Sequence, residues 1–133
     1  MNATLSGGVI IGSSCNLITN SVGAIAVGLF GGALATFGFI KLSPQLSKIG
    51  IYDVCGVHNL HGLPGLFGGI FSAIFLGAYS SSGTQNILGP VGWISDNYIK
   101  KGAYQMAGVA VSLGIAIVSG IVVGLILLIV FKM

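Results

Sequence analysis

Three stretches without a charged residue set the limits on what this chain can become. Its formal charges are Lys41, Lys48, Asp53, Asp96, Lys100, Lys101 and Lys132, so residues 1–40, 54–95 and 102–131 carry none. A hydrocarbon core about 30 Å thick is crossed by roughly 20 apolar residues of helix. The second and third stretches each hold such a span. The first is expected to hold two, because Ser13, Ser14, Asn16, Thr19, Asn20 and Ser21 interrupt it. The expectation is an all-α polytopic membrane protein with about four transmembrane helices, over residues 3–18, 20–40, 56–79 and 104–131.

Composition closes off the other classes. Charged residues make up 5% of the chain, against roughly 25% in soluble domains, and mean hydropathy is +1.02. Too few polar groups exist to cover a water-soluble globule. Disorder needs the opposite balance of low hydrophobicity and high charge. A net charge of +3 from five scattered lysines forms no basic stripe for nucleic acid. The pair Cys15 and Cys55 implies no disulfide framework.

No basic segment precedes the first apolar run, so the start does not read as a signal peptide. Met1 leads almost directly into apolar sequence, as in a piece of a longer polypeptide. Residues 41–52 read as a short connection carrying Lys41, Lys48 and Pro44. Residues 80–103 read as a longer one, with Gly89-Pro90 as a turn signal. Trp93, Tyr98 and Tyr104 stand where an interfacial aromatic belt is expected. The lysine count leans towards 41–52 and the C-terminus sharing the cytoplasmic side. The sequon Asn2-Ala3-Thr4 abuts a span and is not expected to be glycosylated. Ser80-Ser81-Ser82-Gly83 reads as solvated loop.

Glycine occurs 23 times. In a soluble helix each costs about 1 kcal/mol relative to alanine. In lipid, small residues instead let helices approach closely, because no hydrophobic drive brings them together. Ala24, Gly28, Gly32 and Thr36 recur at four-residue spacing, as do Ser112, Ala116, Gly120 and Gly124. Gly8 with Gly12 and Gly65 with Gly69 form shorter pairs. Each series is expected to make a flat stripe on one helix face, which points to a packed bundle rather than a lone anchor.

Residues 53–69, DVCGVHNLHGLPGLFGG, concentrate the chemistry. Both histidines lie there, spaced i, i+3 and so expected to share a helix face. Pro64 removes a backbone donor just after His61 and can kink the span. A metal site from Asp53, Cys55, His58 and His61 has acceptable ligand types but lacks a strong zinc spacing. A phosphate loop lacks the Gly-Lys-Ser/Thr ending. A Cys/His nucleophile lacks an orienting Asn or Asp placed for it. Two readings stay open: histidines hydrogen-bonded inside a bundle, and an imidazole lining a narrow path, where it can donate, accept or exchange a proton.

The stretch Asp53-Val54-Cys55-Gly56-Val57-His58-Asn59-Leu60-His61-Gly62-Leu63-Pro64-Gly65 resembles the signature of the Rh-type branch of the ammonium transporter (Amt/Mep/Rh) superfamily, more than that of the bacterial Amt branch. Asn2-Ala3-Thr4-Leu5-Ser6-Gly7-Gly8-Val9 resembles an earlier Rh segment, and the resemblance covers the whole chain. It implies part of an eleven- or twelve-helix fold, built from two inverted five-helix repeats and a final long helix. It also implies a homotrimer with one pore per protomer. By resemblance, His61 corresponds to the second of two pore histidines, one from each repeat. His58 is additional, and Asp53 is structural or vestibular. Asn59, Gly62, Pro64 and Gly65 neighbour the pore or support it. The first repeat, the partner histidine and the aromatic gate lie outside these residues, so the resemblance implies a C-terminal fragment with half a pore lining. The implied permeant is ammonium or ammonia, and the setting is the lipid bilayer of the plasma membrane or another cell membrane. No catalytic role, cofactor or metal is expected. The alternative is a small helix-bundle membrane subunit that docks through its small-residue stripes without transport activity of its own.

Overall fold

The computed structural model describes residues 1–18, 21–78 and 98–132. Among these there are only helices, turns and short connections. Helix α1 spans Asn2–Gly12 and α2 spans Ser21–Phe37. A π turn, Gly38–Leu42, carries α2 directly into α3, Ser43–Lys48. A second π turn, His58–Gly62, leads into α4, Leu63–Ala78. Helix α5 runs over Tyr98–Lys132. Three stretches, Ser21–Lys48, His58–Leu76 and Lys100–Phe131, are long and apolar enough to cross a membrane. The protein is a polytopic helical fold.

The boundaries differ from expectation in three places. The first helix ends at Gly12; at 1.5 Å per residue its length is about 16 Å, short of a bilayer core. Beyond it the chain turns, with Ser14 N–H donating to Ile11 O (2.9 Å) and Leu17 N–H to Ser14 O (2.9 Å). The second helical stretch passes Lys41 and Pro44 without stopping and ends at Lys48. Helix α5 begins at Tyr98, so the upstream connection is shorter than 80–103. The expected turn at Gly89-Pro90, the Ser80–Gly83 run and Trp93 lie outside the described residues.

Why the helix survives Pro44 follows from the wide turn before it. A proline inside an α-helix removes one donor, and its ring collides with the carbonyl four residues back. Here Ser43 N–H reaches five residues back to Gly38 O, which opens the turn before the ring. The same device precedes Pro64, where Leu63 N–H donates to His58 O. Both prolines stand two residues beyond the end of a π turn.

Glycine at position 50 ends α3. Its φ is +82°, a left-handed conformation that glycine adopts without a Cβ penalty. Ile51 N–H then bonds Leu46 O (3.0 Å) and Gly50 N–H bonds Ser47 O (3.2 Å). This pair of bonds is the Schellman arrangement that satisfies the last carbonyls of a helix.

Small residues bring α1, α2 and α4 together, though not all of those anticipated. Ser6 Oγ donates to Gly31 O (2.7 Å) across the α1–α2 contact. A Cβ on Gly31 would lie 2.6 Å from Ile10 Cγ2, and one on Gly32 would lie 3.2 Å from Ala3 O. One on Gly7 would lie 3.0 Å from Gly28 O. The α2 stripe of Gly28 and Gly32 therefore does face a neighbour, joined by Gly31. Gly8 and Gly12 face open space, and Gly7 does the packing instead. On α4, Gly65 is open, while a Cβ added at Gly68 would collide with the Ile10 carbonyl and one at Gly69 with Val109 of α5. Phe30 of α2 packs edge-on against Phe71 of α4 (centroids 5.4 Å, 85°) and tilts against Phe67 (5.6 Å). Beyond Val109, α5 is exposed from Ala110 to Phe131, and Gly120 and Gly124 meet nothing.

The glycine geometry makes a direct prediction. Gly31→Ala forces a Cβ onto Ile10 and Ser6 and should destabilise the protein by about 1–3 kcal/mol. Gly8→Ala, into open space, should change stability by less than about 0.5 kcal/mol. Thermal unfolding of both variants in detergent micelles, read by circular dichroism, checks the contrast.

Candidate functional site

The histidine segment begins from a left-handed glycine. Gly56 has φ +70°, and a Cβ there would sit 2.8 Å from Phe39 Cζ. Only glycine combines this backbone with the aromatic ring pressed on it. Gly56 N–H bonds Asp53 O (3.2 Å), and Gly56 O accepts from Leu60 N–H (2.9 Å), so the residue is the hinge between the connection and the helix.

A helix start leaves its first N–H groups without intrahelical partners. Asp53 supplies one. Its Oδ2 accepts from His58 N–H (3.1 Å) and, at longer range, from Asn59 N–H (3.4 Å). The carboxylate also suits the positive end of the helix dipole. Asp53 thus has a structural contact set, half-buried at the start of the segment.

Asn59 is fully buried, at 0% exposure. Its Nδ2 donates to Ser43 Oγ (2.7 Å) and stands 3.5 Å from Asp53 Oδ2. Its Oδ1 lies 3.4 Å from His58 Nδ1 and rests directly against Gly38, where no side chain would fit. Ser43 closes the first π turn and Gly38 opens it, so one amide touches both ends of that turn while itself belonging to the second. The resemblance implied that Asn59 neighbours the pore or supports it; its partner Ser43, sixteen residues away, was not legible in the sequence.

The imidazoles of His58 and His61 are both exposed. The π turn bonds residues i and i+5, so the two side chains do not stand in the α register that the i, i+3 spacing predicts. His58 leans back on Asn59. His61 is exposed, as are Gly62 and Gly65, while Pro64 is fully buried. Cys55 is exposed and free. Among the described residues, Asp53, Cys55, His58 and His61 do not converge into a group able to hold a metal ion.

The geometry makes Asp53 a cap whose removal has a defined cost. Asp53→Ala leaves the His58 and Asn59 amides without this acceptor and should lower stability by about 1–2 kcal/mol. Asp53→Asn, which keeps an acceptor oxygen, should lose less. Thermal unfolding of the two variants side by side checks the order.

Comparison with known proteins gives the family. The chain is 41% identical over 128 residues to the ammonium transporter Rh type C of Oryctolagus cuniculus. It is 42% identical over 133 residues to that of Xenopus laevis and 44% identical over 134 residues to that of Rattus norvegicus. In each case 95% of this chain aligns, and it spans 27–28% of the length of the relative. The family model described as Ammonium Transporter Family matches residues 1–133, the whole chain. With the whole chain matched, it belongs to the Ammonium Transporter Family.

Proposed function

We propose that this chain is the C-terminal part of an ammonium/ammonia channel and that His61 lines its pore. The carrying observation is the state of His61. Its imidazole is exposed, as is that of His58, while the polar side chain between them, Asn59, is buried and anchored. Gly62 next to it is exposed, and a Cβ at the exposed Gly65 would meet nothing within 4 Å, leaving room for a small permeant or another helix. Ionisable groups inside a membrane are costly and face a bundle interior or an aqueous path.

The chemistry follows from desolvation. An isolated ammonium ion carried into a dry pore meets a penalty of order tens of kcal/mol in the idealised limit. Release of its proton at the pore mouth leaves ammonia, which is neutral and crosses at far lower cost. A neutral imidazole offers one donor and one acceptor, matching what ammonia gives up on leaving water. The other pore wall, with its own histidine, comes from polypeptide outside these residues, and the assembly is a homotrimer in the plasma membrane or another cell membrane. The role is transport rather than catalysis.

The competing reading, a small subunit that docks through its small-residue stripes, draws on Gly28 and Gly32. Both already face α1 within this chain, which favours the channel reading.

In the complete transporter, His61→Ala should change ammonium flux, or the preference for ammonium over methylammonium, while the protein still folds. Uptake assays in a transport-deficient cell, normalised to surface protein, check this. Flux and preference equal to wild type would remove His61 from the pore. Paired replacement of Gly28 and Gly32 by Leu should disrupt folding of the chain itself, seen as loss of monodisperse protein in detergent, rather than leave a folded chain that has merely lost a partner.

A further inference from the structure

We propose that Asn59 is a positioning residue for His61: by tying Ser43 to Asp53 it locks the two π turns together and so fixes the direction of the His61 ring. This deepens the channel reading above and rests on it.

Pro64 demands a widened turn before it, but not at one unique place. A π turn is an extra residue inserted into an α-helix. Moving that insertion by one residue rotates the side chains it passes by about 100° about the helix axis. His61 sits inside the π turn, so its azimuth depends on where the insertion settles. The contacts of Asn59 choose the place. Its amide is 0% exposed, donates to Ser43 Oγ at 2.7 Å, lies 3.5 Å from Asp53 Oδ2 and is seated against Gly38. Its backbone N–H also stands 3.4 Å from the same carboxylate. A shifted insertion would swing this side chain out of its pocket and leave Ser43 without it. Buried polar groups that lose their partners are strongly disfavoured, so the clamped register wins.

A clamp that aims a pore residue differs from a merely stabilising bond in what it changes. Loss of stability lowers the amount of folded transporter, whereas loss of aim changes the preference of each folded pore. Ser43→Ala removes one hydroxyl at a half-buried position and is the milder variant; Asn59→Ala is the stronger. Both are assayed in the complete transporter by uptake of ammonium and methylammonium, per unit of folded surface protein, alone and combined with His61→Ala. The expected result is a change of roughly 2- to 10-fold in the ratio of the two uptakes for Ser43→Ala, the size of one net hydrogen bond. Asn59→Ala should do at least as much. Ser43→Thr, which keeps the hydroxyl, should restore the wild-type ratio. With His61→Ala present, neither variant should alter the ratio further. If His61→Ala changes the ratio but Ser43→Ala and Asn59→Ala lower only the amount of folded protein, the clamp proposal is overturned and the channel reading stands. A ratio effect that persists without His61 also overturns it. If His61→Ala itself leaves the ratio and flux unchanged, both fall.

Discussion

In hydrocarbon every backbone N–H and C=O needs a partner within the protein, and each proline withdraws one. That constraint governs the two bends of this chain. At Pro44 and Pro64 the helix widens for one turn, and the residue before the proline reaches back five positions instead of four. The helices pass through both prolines with their hydrogen bonding redirected rather than broken. The histidines, the Asp53 cap and the buried Asn59 all belong to the second of these bends or to its approach. The candidate site is therefore built from the way the backbone accommodates a proline, with side-chain chemistry added to it.

The second constraint is the distance between helices. Apolar side chains give no preference for protein over lipid tails, so the α1–α2–α4 contact depends on backbone proximity. Ser6 bonds the Gly31 carbonyl across it, and Gly68 admits the Ile10 carbonyl. The phenylalanines at 30, 67 and 71 fill the side where α2 and α4 diverge enough to hold rings. Helix α1 also touches the second π turn, so the glycine contacts and the turn that carries His61 share one packing element.

Much of this was legible in the sequence. The charge-free stretches located the long helices, and the DVCGVHNLHGLPG segment located the family. The small-residue spacing identified α2 as a packing helix. What it missed had physical causes. A four-residue period cannot tell which of two adjacent glycines faces the neighbour, so Gly7 was passed over for Gly8, and Gly31, which packs alongside Gly32, fell outside the stripe. Lys41 and Pro44 read as a break because each is usually costly in a span, yet the π turn absorbs the proline. The end of α1 at Gly12 was hidden because apolar content alone does not show where a helix turns. Asn59 carried no signal by itself, since its partner Ser43 lies on another helix.

The Ser43–Asn59 bond has a further consequence, for the order of assembly. It closes a loop of sixteen residues, and short closures lose little chain entropy. The intervening reversal is pre-shaped by the left-handed Gly50 and Gly56. The hydrogen bonds described for this corner join residues 38 to 63. A closure this local requires no sequence beyond α4, and α5 adds a separate contact there, Val109 against Gly69.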